Sequence, residues 1–183
     1  MTIKPGYIRV SEILKQWDRF GNVREEVLQR KADLGTTVHE AIKAHHENVP
    51  IPLFEGKGYL ESFWKWLEAS GAEIYNGGQR YYCEKLKITG EIDALVKFPG
   101  NEELVLVDWK TSSSPENLFW KLQGQFYIYL CETNGLAVSN RFLFIQLDKD
   151  GGLPKAHEFK ASSSLMNVCM SAYVCYKYMK KLD

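Results

Sequence analysis

The chain has 183 residues, 45% hydrophobic and 25% charged, the make-up of a soluble globular protein long enough to bury one full core. Its 23 basic and 23 acidic side chains cancel, which excludes a global basic signal for nucleic acid but leaves room for a locally charged cleft. No apolar stretch approaches the length of a membrane span, and the opening MTIKPGYIRVSEIL lacks the apolar core of a secretory signal, so a cytoplasmic protein with no membrane partner is expected.

In chain order, VSEILKQWDRF reads as a short helix with Ser11 as its N-cap. REEVLQRKADLGTTVHEAIKAHHENV reads as one long helix or two, with Gly35 marking a bend or a break. IPLFEGKG is a loop. YLESFWKWLEASG places Tyr59, Phe63, Trp66 and Leu67 at helical spacing and stops at Gly71. The period then changes: RYYCEKLKITGEIDALVKF and EELVLVDWKT are strand-like, with PGN between them. PENLFWKLQGQFYIYLCETNG is a helix with an apolar stripe of Phe119, Leu122, Phe126 and Leu130. NRFLFIQLDKDGG and KAHEFKA form a further hairpin. The last segment repeats apolar residues at 165, 168, 169, 172, 175, 176 and 179, a closing amphipathic helix with basic residues in its final turn. This order predicts a single mixed α/β domain over 1–183, with a central sheet flanked by helices. Cys83, Cys131, Cys169 and Cys175 include no CxxC pair and read as buried apolar filler rather than as zinc or iron–sulfur ligands.

The chemistry lies in GEIDALVKFPGNEELVLVDWKT. If the turn centres between Gly100 and Asn101, Asp93 faces Asp108 and Glu91 faces Lys110. Side chains two apart on a strand share a face, so these four project from one side. Ile92, Ala94, Val107 and Trp109 project from the other. Opposed like charges destabilise a strand pair, and an ionised carboxylate ending an apolar run is costly unless compensated. A hard divalent cation, Mg²⁺ or Mn²⁺, is the natural compensator, since it takes oxygen from carboxylates and from a substrate phosphate. Lys110 beside it can orient or deprotonate a water, or stabilise charge on a phosphate. The competing reading is a surface hairpin whose acids and lysine are solvated ion pairs.

Other residues weigh less. His39-Glu40 lacks the second histidine of a zincin motif, since position 43 is lysine. His45 and His46 read as solvated residues at a helix end. Glu84 is an extra ligand or a polar edge-strand residue, and Glu91 is a supporting partner for Lys110. Trp64, Trp66, Trp120, Tyr81 and Tyr82 are core residues or base-stacking platforms. Lys85, Lys87 and Lys97 are a phosphate track or ordinary exposed lysines.

These residues resemble the PD-(D/E)XK nuclease superfamily, particularly its RecB-like exonuclease branch. That branch carries a strand with G-x-[IV]-D, a strand with D-x-K and a following helix with Q-x-x-x-Y. Here they read Gly90-Glu91-Ile92-Asp93, Asp108-Trp109-Lys110-Thr111 and Gln123-Gly124-Gln125-Phe126-Tyr127. An upstream helix motif of the branch reads Gly35-Thr36-Thr37-Val38-His39. The blocks fall in family order and cover residues 35 to 130.

The resemblance implies a restriction-endonuclease-like core in which Asp93, Asp108, His39 and the Trp109 carbonyl hold one or two Mg²⁺ or Mn²⁺ ions. It makes Lys110 catalytic and has Gln123 and Tyr127 support the lysine and the substrate. Gln125 and Tyr129 form a second, offset match. Glu91, Glu84 and Thr111 are candidates for supporting contacts around the ligands. Leu34 stands where relatives often carry a basic residue. The cysteine arrangement of iron–sulfur members is absent, so no cluster is expected, and nothing resembles the P-loop of a fused helicase. The implied activity is a metal-dependent deoxyribonuclease of compact, bacteriophage type, an exonuclease acting on single strands or duplex ends in recombination, repair or phage DNA processing. A recombination or replication protein is its expected partner. A structure-specific or restriction-type endonuclease, and a non-catalytic nucleic-acid-binding module on the same fold, are the alternatives.

Overall fold

The computed structural model describes residues 3–15, 24–51, 54–115 and 117–181. Its elements are β1 (Ile8–Arg9), α1 (Val10–Leu14), α2 (Glu25–His46), α3 (Lys57–Ser70), β2 (Glu73–Cys83), β3 (Ile88–Lys97), β4 (Leu104–Lys110), α4 (Asn117–Thr133), β5 (Val138–Gln146), β6 (Lys155–Lys160) and α5 (Ser163–Lys180). The strands form one six-stranded mixed sheet in the order β1-β3-β4-β5-β6, with β2 paired to β3. Helices cover both faces. Ile88, Leu95, Leu106, Phe142 and Phe144 pack with α1, α4 and α5 on one side. Val96, Val105, Val107 and Ile145 pack with α2 and α3 on the other. This is the mixed α/β architecture expected of a restriction-endonuclease-like core.

Local chemistry accounts for most elements. In α3 the spacing of Leu60, Phe63 and Trp66 buries one stripe, and each such side chain contributes about 1.5–3 kcal/mol. Gly71 ends the helix at φ 61°, its N–H reaching the Leu67 carbonyl. α2 buries Val38, Ala41 and Ile42, with Glu25 and Glu26 at its N-terminus and Lys43, His45 and His46 at its C-terminus, as the helix dipole favours. α4 is buried on most sides because it lies between the sheet and α5; Trp120, Tyr127, Ile128 and Cys131 join the expected stripe.

Five expectations are corrected. Gly35 does not break α2, which runs on as one helix; a Cβ there would lie 3.3 Å from Thr111 Oγ1, so the glycine lets the helix approach the end of β4. Ser11 is not an N-cap, because β1 runs straight into α1 and Arg9 takes that place without a side-chain cap bond. The rest of the expected first helix, residues 16–20, lies outside the described residues. The long strand-like run from Arg80 to Phe98 is cut by a turn at residues 84–87, where Lys87 takes φ 51° without a glycine or asparagine to announce it. Ile92 does not share the face of Ala94. It packs towards α4, and the next residue of β3 to do so is Leu95, three positions on rather than two. The closing helix buries Cys169 and Ala172, with Leu165, Met166, Tyr173 and Tyr176 partly buried against the same core, while Val168, Cys175 and Met179 are exposed.

The β3–β4 register is that of the turn-centred pairing: Ala94 opposite Val107, Leu95 opposite Leu106, Val96 opposite Val105. One edge of β3 is occupied by β2 along its length. The other is shared: β1 takes Ile88 and Thr89, and β4 takes Ala94 to Val96. Residues 90–93 are left without a strand on that edge, and the sheet opens there.

Candidate active site

The opening forms a cleft of about 560 Å³ between α2 and α4, lined by His39, Asp93, Asp108, Lys110, Gln123 and Tyr127 among others. Asp93 sits where β3 has lost its partner and where its side-chain alternation slips. Its Oδ2 accepts the Trp109 N–H at 2.9 Å, so a carboxylate replaces the missing ladder bond. Its Oδ1 lies 3.0 Å from His39 Nδ1, which α2 brings in from the opposite wall. A residue's N–H and C=O share one strand edge, so the Trp109 carbonyl also faces the gap.

Asp108 and Lys110 point to the α4 side. Lys110 Nζ lies 2.6 Å from Asp108 Oδ2, close enough for an ion pair, although that oxygen receives no aligned hydrogen bond. Gln123 ties the group together: its Oε1 accepts from Lys110 Nζ at 3.0 Å, while its Nε2 donates to Asp108 Oδ1 at 3.3 Å and Tyr127 Oη at 3.0 Å. Tyr127 lies flat over β3 because residue 90 is glycine; a Cβ there would come within 2.6 Å of the tyrosine ring.

Burial sets the electrostatics. Asp108 is 2% exposed, and burial pushes its carboxyl up to about 6 although Lys110 pulls it down. Asp93 meets the same burial penalty, but the His39 charge beside it holds its carboxyl below the usual range. His39 mirrors this: burial works against its charged form, and the Asp93 carboxylate outweighs it and raises the imidazole. Burial raises the Tyr127 phenol well above its ordinary range, so it stays protonated. Two carboxylates thus differ sharply in proton affinity across one gap.

The structure sorts the sequence candidates. His39, Asp93, Asp108, the Trp109 backbone, Lys110, Gln123 and Tyr127 meet in the cleft. Gln125 and Tyr129 do not: Gln125 accepts the Ser162 N–H ahead of α5, and Tyr129 lies beside Cys83. Glu91 lines the cleft, yet its partner is Arg80 on β2 rather than Lys110, since those two residues are paired across β2 and β3. Glu84 lies in the β2–β3 turn, ion-paired with Lys87 at 2.8 Å, and takes no part. Thr111 flanks the site, its carbonyl accepting the Tyr59 hydroxyl at 3.3 Å. Trp66, Trp120 and Tyr81 are core, whereas Trp64 is exposed. His45 sits edge-on to Phe63 and His46 covers Gly77. Lys97 is paired with Glu102. Sequence reasoning missed Lys43 in the lining, whose position one helical turn beyond His39 was the available signal, and Arg80, the partner of the lining residue Glu91, which no local pattern marks.

Among the described residues, no three His, Cys, Asp or Glu side chains group as a metal cage. What the cleft offers is two carboxylates from adjacent strands and a strand-edge carbonyl. The buried Asp108 Oδ2, which has a cation beside it but no aligned donor, suits a hard divalent ion. No helix among the described residues is long and apolar enough to cross a membrane.

Solved structures share the fold. A protein from Eubacterium rectale, described provisionally as an exonuclease, is 12% identical with a TM-score of 0.54, over 94% of this chain and 83% of that one. A protein named SSO0001 is 14% identical with a TM-score of 0.52, over 97% of this chain and 79% of that one. No curated protein sequence matches. The sequence profile of the PD-(D/E)XK nuclease superfamily matches residues 55–166. That span begins after His39 and contains both acids, the lysine, Gln123 and Tyr127, the residues that the sheet opening gathers. Taking in more than half of the chain, it shows that this protein belongs to the PD-(D/E)XK nuclease superfamily.

Proposed function

We propose that the protein is a divalent-metal-dependent deoxyribonuclease of the RecB-like branch, a single-domain exonuclease that hydrolyses phosphodiester bonds from DNA ends. One observation carries the reading: a buried Asp108, its neighbour Lys110 and Asp93 meet where β3 and β4 part, in a cleft rather than in a closed core. A non-catalytic binder of phosphate gains nothing from opposed acids at that place, since they repel its ligand.

Asp93, Asp108 and the Trp109 carbonyl, with His39 as the further ligand, would hold one or two Mg²⁺ or Mn²⁺ ions, which supply charge neutralisation at the phosphate and a more acidic water. Lys110 positions the attacking water and stabilises charge on the phosphate. Gln123 fixes the direction of the Lys110 ammonium through its Oε1, and Tyr127 fixes Gln123 by accepting its N–H. Without metal, the His39 imidazole keeps Asp93 ionised and turned into the gap; as a ligand it is neutral and holds Asp93 through the Nδ1–H alone.

The test is digestion of linear and covalently closed circular DNA with Mg²⁺ or Mn²⁺, and with chelator. Linear DNA is expected to be degraded only with metal, and closed circles to survive. Asp108→Ala and Lys110→Ala are each expected to lower the rate by at least about 100-fold. Unchanged cleavage in either variant defeats the assignment of residues, and cleavage of circles makes the enzyme an endonuclease.

A further inference from the structure

The cleft is poor in positive charge for a site that takes a polyanion. Among the described residues its lining carries four carboxylates, Glu40, Glu91, Asp93 and Asp108, against two ammonium groups, Lys43 and Lys110, and the His39 imidazole, which is engaged with Asp93. Lys110 is held by Asp108 and Gln123. Arg80, behind the lining, is taken by Glu91. Lys43 differs. Its stem lies over Gly78, where a Cβ would meet Lys43 Cδ at 2.6 Å, and its ammonium donates to the Gly78 carbonyl at 3.1 Å. Glu47, the nearest acid paired with it, is 4.0 Å away, beyond a hydrogen bond. The side chain keeps 33% of its surface exposed. An ammonium anchored by one carbonyl, with donors to spare and solvent in front of it, is arranged to receive an anion at little cost in lost rotamer freedom.

Lys43 follows His39 by four residues, so it stands on the same helix face about 6 Å further along the axis. That offset is comparable to the separation of successive phosphates on an extended strand. The geometry points to Lys43 as the residue that binds the backbone phosphate next to the scissile one, fixing the register of a single DNA strand in the cleft. This rests on the nuclease reading above and adds a positioning residue that the metal and lysine roles do not use.

Lys43→Met keeps the stem over Gly78 and removes the charge; Lys43→Arg keeps the charge. Two measurements with a single-stranded oligonucleotide test the role: cleavage kinetics with Mn²⁺, and binding by fluorescence anisotropy in chelator across a salt series. Lys43→Met is expected to raise KM and Kd by about 3- to 10-fold, to leave kcat within about two-fold, and to make the slope of log Kd against log salt shallower by about 0.7, the loss of one single-strand phosphate contact. Lys43→Arg is expected to restore both. A purely structural lysine would shift the melting temperature and leave the salt slope alone, and that result overturns the proposal. So does a fall in kcat at unchanged KM. If the unaltered chain cleaves nothing, the nuclease reading fails, yet the anisotropy slope still decides whether Lys43 meets a phosphate.

Discussion

Asp108 is placed at a cost to the fold, since its carboxyl is buried. Its carboxyl titrates at about 6 because burial disfavours the charge more than Lys110 favours it. A folded value above the unfolded one means that stability from this group is full below about pH 4 and is lost as the pH rises through about 6. Asp108→Asn removes that loss. In metal-free protein the variant's stability relative to wild type should improve by about 3 kcal/mol between pH 4 and pH 8, read by urea denaturation at both pH values. A difference that stays flat across that range would show Asp108 to be solvated. The neighbouring Gln123 predicts a kinetic effect instead. Gln123→Ala frees the Lys110 ammonium, so kcat should fall about 10- to 100-fold with KM nearly unchanged. Tyr127→Phe removes only an acceptor of the Gln123 amide and should cost less than about 10-fold, a ranking that single-turnover kinetics can check. At this scale the sequence was readable where an acid interrupts an apolar strand, as at Asp108. It was silent at Arg80, whose pairing with Glu91 depends on a β2–β3 register that no motif announces.

Elements were legible where one short signal fixes them. The turn at Pro99-Gly100-Asn101, with Gly100 at φ 71°, was enough to set the β3–β4 register. The stripe of α3 and its Gly71 stop were equally plain. Three features were not. The turn before β3 rests on a lysine in a left-handed conformation. The two-residue β1 carries no pattern, although by occupying Ile88 and Thr89 it confines the opening of the sheet to residues 90–93. The slip between Ile92 and Leu95 follows from that opening, so alternation alone put Ile92 on the wrong face. Gly90 belongs to the same element and predicts its sensitivity. Gly90→Ala would drive a methyl against the Tyr127 ring and within 3.0 Å of Leu130 Cδ1. The ring cannot turn away without breaking the hydroxyl's bond to Gln123. The variant should lose about 1–3 kcal/mol, seen as a lower urea midpoint at unchanged slope, and its kcat should fall along with that of Gln123→Ala.

At the scale of the whole molecule, neutrality bears on how the proposed DNA substrate would be held. With 23 positive and 23 negative side chains there is no long-range field to draw a polyanion in, so attraction has to come from the cleft and its rim. Composition made that neutrality plain, but it could not show where unpaired positive charge lies, because several basic side chains outside the cleft are spent locally. Arg9 pairs with Glu12, Lys57 with Glu61, Lys87 with Glu84, Lys97 with Glu102, Arg141 with Glu158 and Lys149 with Asp150. Such exposed pairs add little stability, but they cancel charge that would otherwise be free to meet a phosphate backbone. If contact is confined to the cleft, only two or three phosphates are neutralised on binding. The slope of log Kobs against log salt for a single-stranded oligonucleotide should then be shallow, between about −1 and −2, where each phosphate contributes about 0.7. Affinity would fall by less than about 20-fold between 50 and 200 mM salt. Anisotropy titrations in chelator over that range give the number directly. A slope of about −5 or steeper would require about seven or more contacts, drawn from basic side chains outside the cleft.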